Sequence, residues 1–254
     1  MVFCLAGCSK PGDGNPVHEI AGTTMGTYFS VKIVTASSGL SPEGYRKIAR
    51  GIEQRLAEIN SQMSVHVETS ELSRFNRYQG SEWFPVSDNL AAIAKGFGVD
   101  AVSAYLEAHA ILDYLVDIGG EVRAGGRNHL EKPWRVGIVS PDRALGVQKI
   151  VALSGDSGRA MATSGDYHNY FEVDGRRYSH TIDPKTGKPV THALASVSVI
   201  HRECALADAY ATAISAMGPG KGLQWAKAEQ LPVLMIIRTA AGLVEKNTAE
   251  FNSL

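Results

Sequence analysis

Apolar positions recur along this chain with two different periods. After Ser41-Pro42-Glu43, a cap, a first-turn proline and an early acid, Tyr45, Ile48, Ile52, Leu56 and Ile59 repeat at the spacing of one helical face. Glu19 to Val34 alternates instead and turns β-branched towards its end, which predicts a pair of strands bent at Gly22 to Gly26. A helix opens near Lys95 and continues through Ala101 to His109. Tyr114 to Ile118 is a buried strand, apolar but for Asp117, that runs into Gly119-Gly120. Arg123 to Arg127 reads as a loop, and Trp134 to Val139 and Gln148 to Leu153 read as strands.

Thr163-Ser164-Gly165-Asp166 reads as a polar turn whose glycine is free to take positive φ. Tyr170 to Val173 and Arg177 to Thr181 alternate like paired strands around the hairpin signal Asp174-Gly175, and Asp183 to Gly187 turns the chain sharply. Ala195 to Ile200 is a further strand, and helices follow at Ala205 to Met217 and Gly222 to Gln230. A hairpin within Val233 to Val244 completes an antiparallel sheet. Many strands with a few segregated helices predict an α+β fold of antiparallel sheets, not a doubly wound parallel one.

Composition narrows the function classes. With 254 residues, 44% of them hydrophobic and 20% charged, the chain can bury a substantial core. A formal net charge of -1 offers no basic field, so nucleic acid is not an expected partner. No apolar run reaches membrane-spanning length, and no Gly-x-Gly-x-x-Gly or Walker loop is present. The first residues add a different expectation. Leu5-Ala6-Gly7-Cys8 looks like a bacterial lipoprotein cleavage box behind an unusually short apolar segment, so residues 1–8 read as a shortened signal ending in a lipidated Cys8. The Gly- and Pro-rich stretch in 9–18 then reads as a tether, and 19–254 as a single domain, lipid-anchored on the periplasmic side of the bacterial inner membrane. Cleavage would leave Cys204 as the sole thiol of the folded part, a small buried hydrophobe with no disulfide partner.

Four places carry candidate chemistry. His180, at a strand end beside a rigid turn, faces whatever the Thr163 to Asp166 loop faces; it could deprotonate a nucleophile, bind a phosphate, or simply complete a turn. Lys95, just before a glycine at a helix start, adds its charge to the helix dipole and suits an anionic phosphate, the alternative being a solvated surface lysine. Asp117 on an apolar strand needs a partner, and the glycines after it let the backbone approach a ligand closely. Asp208 and Thr212 lie one helical turn apart, so a carboxylate and a hydroxyl share one side of the helix. That pair suits Mg²⁺, or is only a helix-start acid and an exposed threonine.

Thr163-Ser164-Gly165-Asp166-Tyr167, followed by Ser179-His180-x-Ile182-Asp183-Pro184-x-Thr186-Gly187-x-Pro189, closely resembles the ApbE family of FAD:protein FMN transferases. Thr24-Met25-Gly26-Thr27-Tyr28, Ala92 to Asp100, Asp117-x-Gly119-Gly120 and the Asp208 to Thr212 segment extend the resemblance over nearly the whole chain outside Met1 to Pro16. It implies FAD as substrate, with Met25, His66, Asn89, Lys95, Asp117, Ser164 and Thr181 at the flavin nucleotide. It implies Mg²⁺ on Asp208, Thr212 and the backbone carbonyl of Ala92. His180 would activate an acceptor threonine hydroxyl, Asp183 would hold the loop or the imidazole, and AMP would leave. The implied acceptors are flavoprotein subunits of membrane redox complexes or periplasmic reductases.

The sequence departs from the family at three points. His66 stands where the family usually has an aromatic, and Asn89 stands where it has an aspartate six positions before the lysine. An amide cannot supply that carboxylate's charge. Between about Ala91 and Ala92, an internal segment that begins with a Ser-Gly-Gly-x-Phe-Asp motif in the family is missing. Two alternatives follow from these departures: a lipoprotein that binds FAD without transferring FMN, and a Mg²⁺-dependent FAD pyrophosphatase in which water replaces the threonine.

Overall fold

A computed structural model describes residues 2–4, 14–63, 68–80, 94–142, 146–153, 159–165, 170–173, 176–179, 181–183 and 186–254. The chain opens with β1 (Val2–Cys4), the hairpin β2 (Val17–Thr24) and β3 (Thr27–Val34), and the helices α1 (Thr35–Ser38), α2 (Pro42–Met63) and α3 (Glu71–Arg77). Next come α4 (Ala94–Ala108), β4 (Tyr114–Ile118), β5 (Glu121–Gly125), β6 (Trp134–Val139), β7 (Val147–Leu153) and β8 (Arg159–Gly165). Two small hairpins, β9 (Tyr170–Val173) with β10 (Arg176–Ser179) and β11 (Ile182–Asp183) with β12 (Lys188–Pro189), precede β13 (Leu194–His201). The chain ends with α5 (Cys204–Ala228), β14 (Val233–Thr239), β15 (Gly242–Asn247) and α6 (Ala249–Asn252).

The organising layer is an eight-stranded sheet in the order β15-β14-β13-β8-β5-β4-β3-β2, with every pairing antiparallel. Strand β4 shows why its sequence is so apolar. Tyr114, Val116 and Ile118 pack with Ile48, Ile52 and Leu56 of α2 and with Val99, Val102 and Leu106 of α4. On its other side Leu115 joins Val122 and Ala124 of β5 against Trp134, Val136, Ile138, Val151 and Leu153 of β6 and β7. Helices therefore cover one face, and the three-stranded sheet β1-β6-β7 covers the other. A strand buried on both faces has no solvent side to mark with polar residues. The expected antiparallel α+β class is the observed one. Among the described residues no helix is long and apolar enough to cross a membrane.

Two local expectations are overturned. Arg123 to Gly125 is strand, not loop: β5 runs from Glu121 to Gly125, its charged residues alternating with buried Val122 and Ala124, and only Gly126 and Arg127 of the expected loop lie outside it. Thr163-Ser164-Gly165 is likewise the end of strand β8, not a turn, because the hydroxyls find lateral partners: Thr163 Oγ1 lies 2.7 Å from Ser198 Oγ of β13. Asp166 and the Asp174-Gly175 turn lie outside the described residues. The two helices expected after β13 are both present within α5, separated at Gly218 (φ 78°, ψ 174°), where the backbone leaves the helical region just ahead of Pro219.

Candidate functional site

The site is built where the first turns of α4 and α5 cross. Each helix supplies an aspartate to the other's open end. Asp208 of α5 accepts the Gly96 N–H of α4 at 3.2 Å through Oδ2. Asp100 of α4 accepts the Cys204 N–H at 3.0 Å and the Ala205 N–H at 2.9 Å of α5. Helix N-termini leave such donors without intrahelical partners, and a carboxylate there also meets the positive end of the dipole. Asp100 is itself held by Arg123 Nη1 at 2.8 Å. The crossing is close enough to demand glycine. A Cβ at position 96 would stand 2.5 Å from the Cys204 carbonyl oxygen and 2.8 Å from the Ala205 Cα. Backbone cannot yield as a flexible side chain can. Gly96→Ala is therefore expected to destabilise the fold by about 1–3 kcal/mol, roughly 2–4 °C of melting temperature per kcal/mol for a chain of this size. Thermal unfolding followed by circular dichroism checks this, and an unchanged midpoint would refute the tight crossing.

Lys95 lies beside that crossing. Its Nζ is 2.6 Å from Oε2 of Glu121, and the lysine side chain is 38% exposed against 3% for the glutamate. Glu121 follows the Gly119-Gly120 turn, on the helix side of β5. Burial pushes its pKa up to about 7, and the charge of Asp208 pushes the same way, against the downward pull of Lys95. Burial alone would lower the Lys95 pKa, but Glu121 and then Asp208 raise it on balance. Burial also raises Asp208. Asp117, buried near the end of β4, is pushed up to about 6 by the same cause.

These shifts fix a sign for stability. An acid whose folded pKa lies above its unfolded value holds its proton more tightly in the fold, so its contribution is complete at low pH and is lost as pH rises. For Asp117 and Glu121 the loss runs through about pH 6 and about pH 7. The metal-free protein is expected to melt several degrees lower at pH 8 than at pH 5. A midpoint that climbs over that interval would contradict the burial of these two acids.

Three further features face the same region. Met25 and Gly26 form the two-residue turn between β2 and β3 with φ 51° and 72°. Positive φ at a methionine is costly and marks a held conformation. The Met25 methyl lies 3.1 Å from where a Cβ on Gly98 of α4 would sit. Asp117 Oδ1 accepts the Gly120 N–H at 2.9 Å, so part of its acceptor capacity shapes the double-glycine turn. Ser164 of β8 and Thr212 of α5 lie 3.2 Å apart through their hydroxyls, which places the two predicted residues together.

The oxygens fit a hard cation. Asp208 and Thr212 project from one side of α5, and only Oδ2 of Asp208 is engaged among the described residues, by Gly96. Mg²⁺ takes few protein oxygens and keeps water or phosphate for the rest. Among the described residues no group of three or more His, Cys, Asp or Glu could hold an ion.

Of the other expected site residues, His66, Asn89, Ala92 and His180 lie outside the described residues. Asp183 accepts the Thr186 hydroxyl at 3.2 Å, and its carbonyl receives the Gly187 N–H at 2.8 Å, which rigidifies the turn after His180. The Thr181 carbonyl accepts the Val190 N–H at 3.0 Å, closing the β11–β12 hairpin, and β11 packs against α5. Sequence reasoning missed Glu121, Asp100 and Arg123. The signal was there in Glu121-Val-Arg-Ala-Gly125, a strict charged–apolar alternation.

Comparison with known proteins gives a consistent result. The model of the ApbE family matches residues 25–92 and 89–235, two segments that meet at 89–92. The FAD:protein FMN transferase of Vibrio cholerae is 34% identical over 327 aligned positions, covering 98% of this chain and 95% of the relative. The FAD:protein FMN transferase of Haemophilus influenzae is 30% identical, covering 100% and 95%. Both alignments are longer than the 254 residues of this chain, so the relatives carry residues with no counterpart here. Among solved structures, the flavin transferase ApbE from Vibrio cholerae superposes with a TM-score of 0.79 at 30% identity, covering 94% of this chain and 99% of that one. The apo form of the Pseudomonas stutzeri flavinyl transferase ApbE gives 0.79 at 29%, covering 95% and 97%.

Proposed function

The chain belongs to the ApbE family, and from that premise we propose that it transfers FMN from FAD to a threonine hydroxyl of a target flavoprotein with Mg²⁺ and releases AMP. The observation that carries this reading is the convergence of Lys95, Asp208 and Thr212 at the α4–α5 crossing, beside the Gly119-Gly120 turn. In the transfer the threonine oxygen bonds to the FMN phosphorus, the bond from that phosphorus to the AMP phosphate breaks, and the hydroxyl proton passes to His180. Such transfers depend mostly on positioning and on neutralising charge. Lys95 is held at this crossing with its amine paired to Glu121. Met25 and the Gly119-Gly120 turn would contact the flavin nucleotide, the glycines allowing it close to backbone. Mg²⁺ held by Asp208, Thr212 and the Ala92 carbonyl would neutralise the diphosphate and improve AMP as a leaving group. The Leu5-Ala6-Gly7-Cys8 box supports a lipid anchor on the periplasmic side of the inner membrane, its cleavage removing β1 and leaving β6 and β7 over the main sheet, and subunits of redox complexes or periplasmic reductases would be the acceptors.

A second reading has its own observation. The family match breaks at 89–92, where the sequence lacks a segment, and a chain without it could retain FAD binding and lose transfer. Product analysis separates the readings. With FAD, Mg²⁺ and an acceptor domain, transfer yields flavinylated acceptor and AMP. Free FMN with AMP would mean a pyrophosphatase, and bound but unchanged FAD would mean a binding protein.

A further inference from the structure

The neighbourhood of Lys95 is unbalanced in charge. Its ammonium is 2.6 Å from the Glu121 carboxylate, and Asp208 is bonded to the very next residue, Gly96. Asp208 acts electrostatically on both Lys95 and Glu121. Two carboxylates around one ammonium leave a net charge of about -1 once all three are ionised. Nearby groups do not repair this: Arg123 is engaged by Asp100 at 2.8 Å and Glu107 at 3.4 Å, and the buried Cys204 thiol is kept neutral by its burial. The FAD diphosphate is itself anionic.

Resting on the function proposed above, we infer that Glu121 is a positioning residue that makes the site bind its divalent cation before FAD. Glu121 ties Lys95 back to β5, so the lysine charge is spent inside the protein and the mouth of the site stays negative until a cation reaches Asp208 and Thr212. Adding two positive charges turns about -1 into about +1, and only then does the site attract a diphosphate. Coupling between two ligands is reciprocal, so FAD must tighten the cation by the same factor. Glu121 acts through Lys95, which it contacts at 2.6 Å, and through the field.

The test uses the full chain at pH 8, where Glu121 is ionised. FAD affinity is read by flavin fluorescence in EDTA and in Mg²⁺, and cation affinity by Mn²⁺ binding without flavin. Glu121→Gln keeps the size and the acceptor for Lys95 but removes the charge. It is expected to bind FAD on the order of tenfold more tightly in EDTA, and Mn²⁺ on the order of tenfold more weakly, as one unit charge across such a site predicts. Glu121→Asp is expected to retain the Mg²⁺ dependence of the unmodified chain. Tighter metal-free FAD binding cannot come from a damaged fold. The inference is overturned if FAD binds the unmodified chain equally well with and without Mg²⁺, or if Glu121→Gln binds FAD in EDTA no more tightly than that chain. Absence of FAD binding to the unmodified chain under every condition would instead overturn the flavin reading itself, and this inference with it.

Discussion

Asp208→Ala is expected to reduce flavin transfer by roughly a hundredfold or more, the scale associated with removing a charged element of a phosphoryl-transfer site. The carboxylate has two jobs on the α4–α5 crossing. One oxygen receives the Gly96 N–H at 3.2 Å, and the other is the one that would meet a cation, with Thr212 one helical turn further along α5. Asp208→Asn separates the jobs, since an amide oxygen still accepts from Gly96 but carries no charge. Burial already raises the pKa of Asp208, so the charge is held at a cost and its removal should leave the fold intact. Both variants should therefore lose transfer, while Asp208→Asn melts close to the unmodified protein. His180→Ala is expected to lose transfer as well, through loss of the group that takes the hydroxyl proton. Steady-state labelling of an acceptor, with melting curves on the same samples, checks the set. Undiminished transfer in either Asp208 variant would remove Asp208 from the metal site.

Lys95→Met should be costly in a different way. It leaves the Glu121 carboxylate, 3% exposed, with no cation at 2.6 Å. Breaking a fully buried pair costs about 3–5 kcal/mol, and because the Lys95 end is partly in water the discounted expectation is roughly 2–3 kcal/mol. The loss should be smaller at pH 5 than at pH 8, because an unpaired Glu121 can then take a proton. The double variant Lys95→Met/Glu121→Gln should recover most of the stability and, with the net charge of the site unchanged, should not bind FAD more tightly than the unmodified chain. Chemical unfolding at the two pH values together with FAD titration tests this. A single variant as stable as the unmodified chain at pH 8 would show that the pair does not hold this corner of the fold.

Local signals made much of the scaffold legible in the sequence. The 3.6-residue repeat of Tyr45, Ile48, Ile52, Leu56 and Ile59 is the buried face of α2. The apolar run at Tyr114 is a central strand, and the bend expected within Gly22 to Gly26 is the turn at Met25 and Gly26. What stayed hidden depends on partners far along the chain. Glu121 meets Lys95 from 26 positions away and Asp208 meets Gly96 from 112. No window of sequence contains both members of such a pair. Charge on β5 imitated a loop for the same reason: Glu121 and Arg123 look solvated until α4 supplies Lys95 and Asp100. The hydroxyls of Thr163 and Ser164 likewise looked like turn chemistry until Ser198 and Thr212 were found beside them. The chemistry itself was legible only through motif resemblance. As bare residues, Asp208 and Thr212 read more readily as a helix-start acid and an exposed threonine than as metal ligands.

The most direct measurement is covalent labelling of an acceptor. The purified chain would be incubated with FAD and Mg²⁺ and with a flavoprotein domain that carries an acceptor threonine, beside the same domain with that threonine replaced by valine. In-gel flavin fluorescence and intact mass would be read on both. The expected result is a fluorescent acceptor heavier by one FMN moiety, dependent on Mg²⁺ and absent from the valine form. An acceptor that stays unlabelled while FAD binds tightly would contradict transfer and leave a flavin-binding protein.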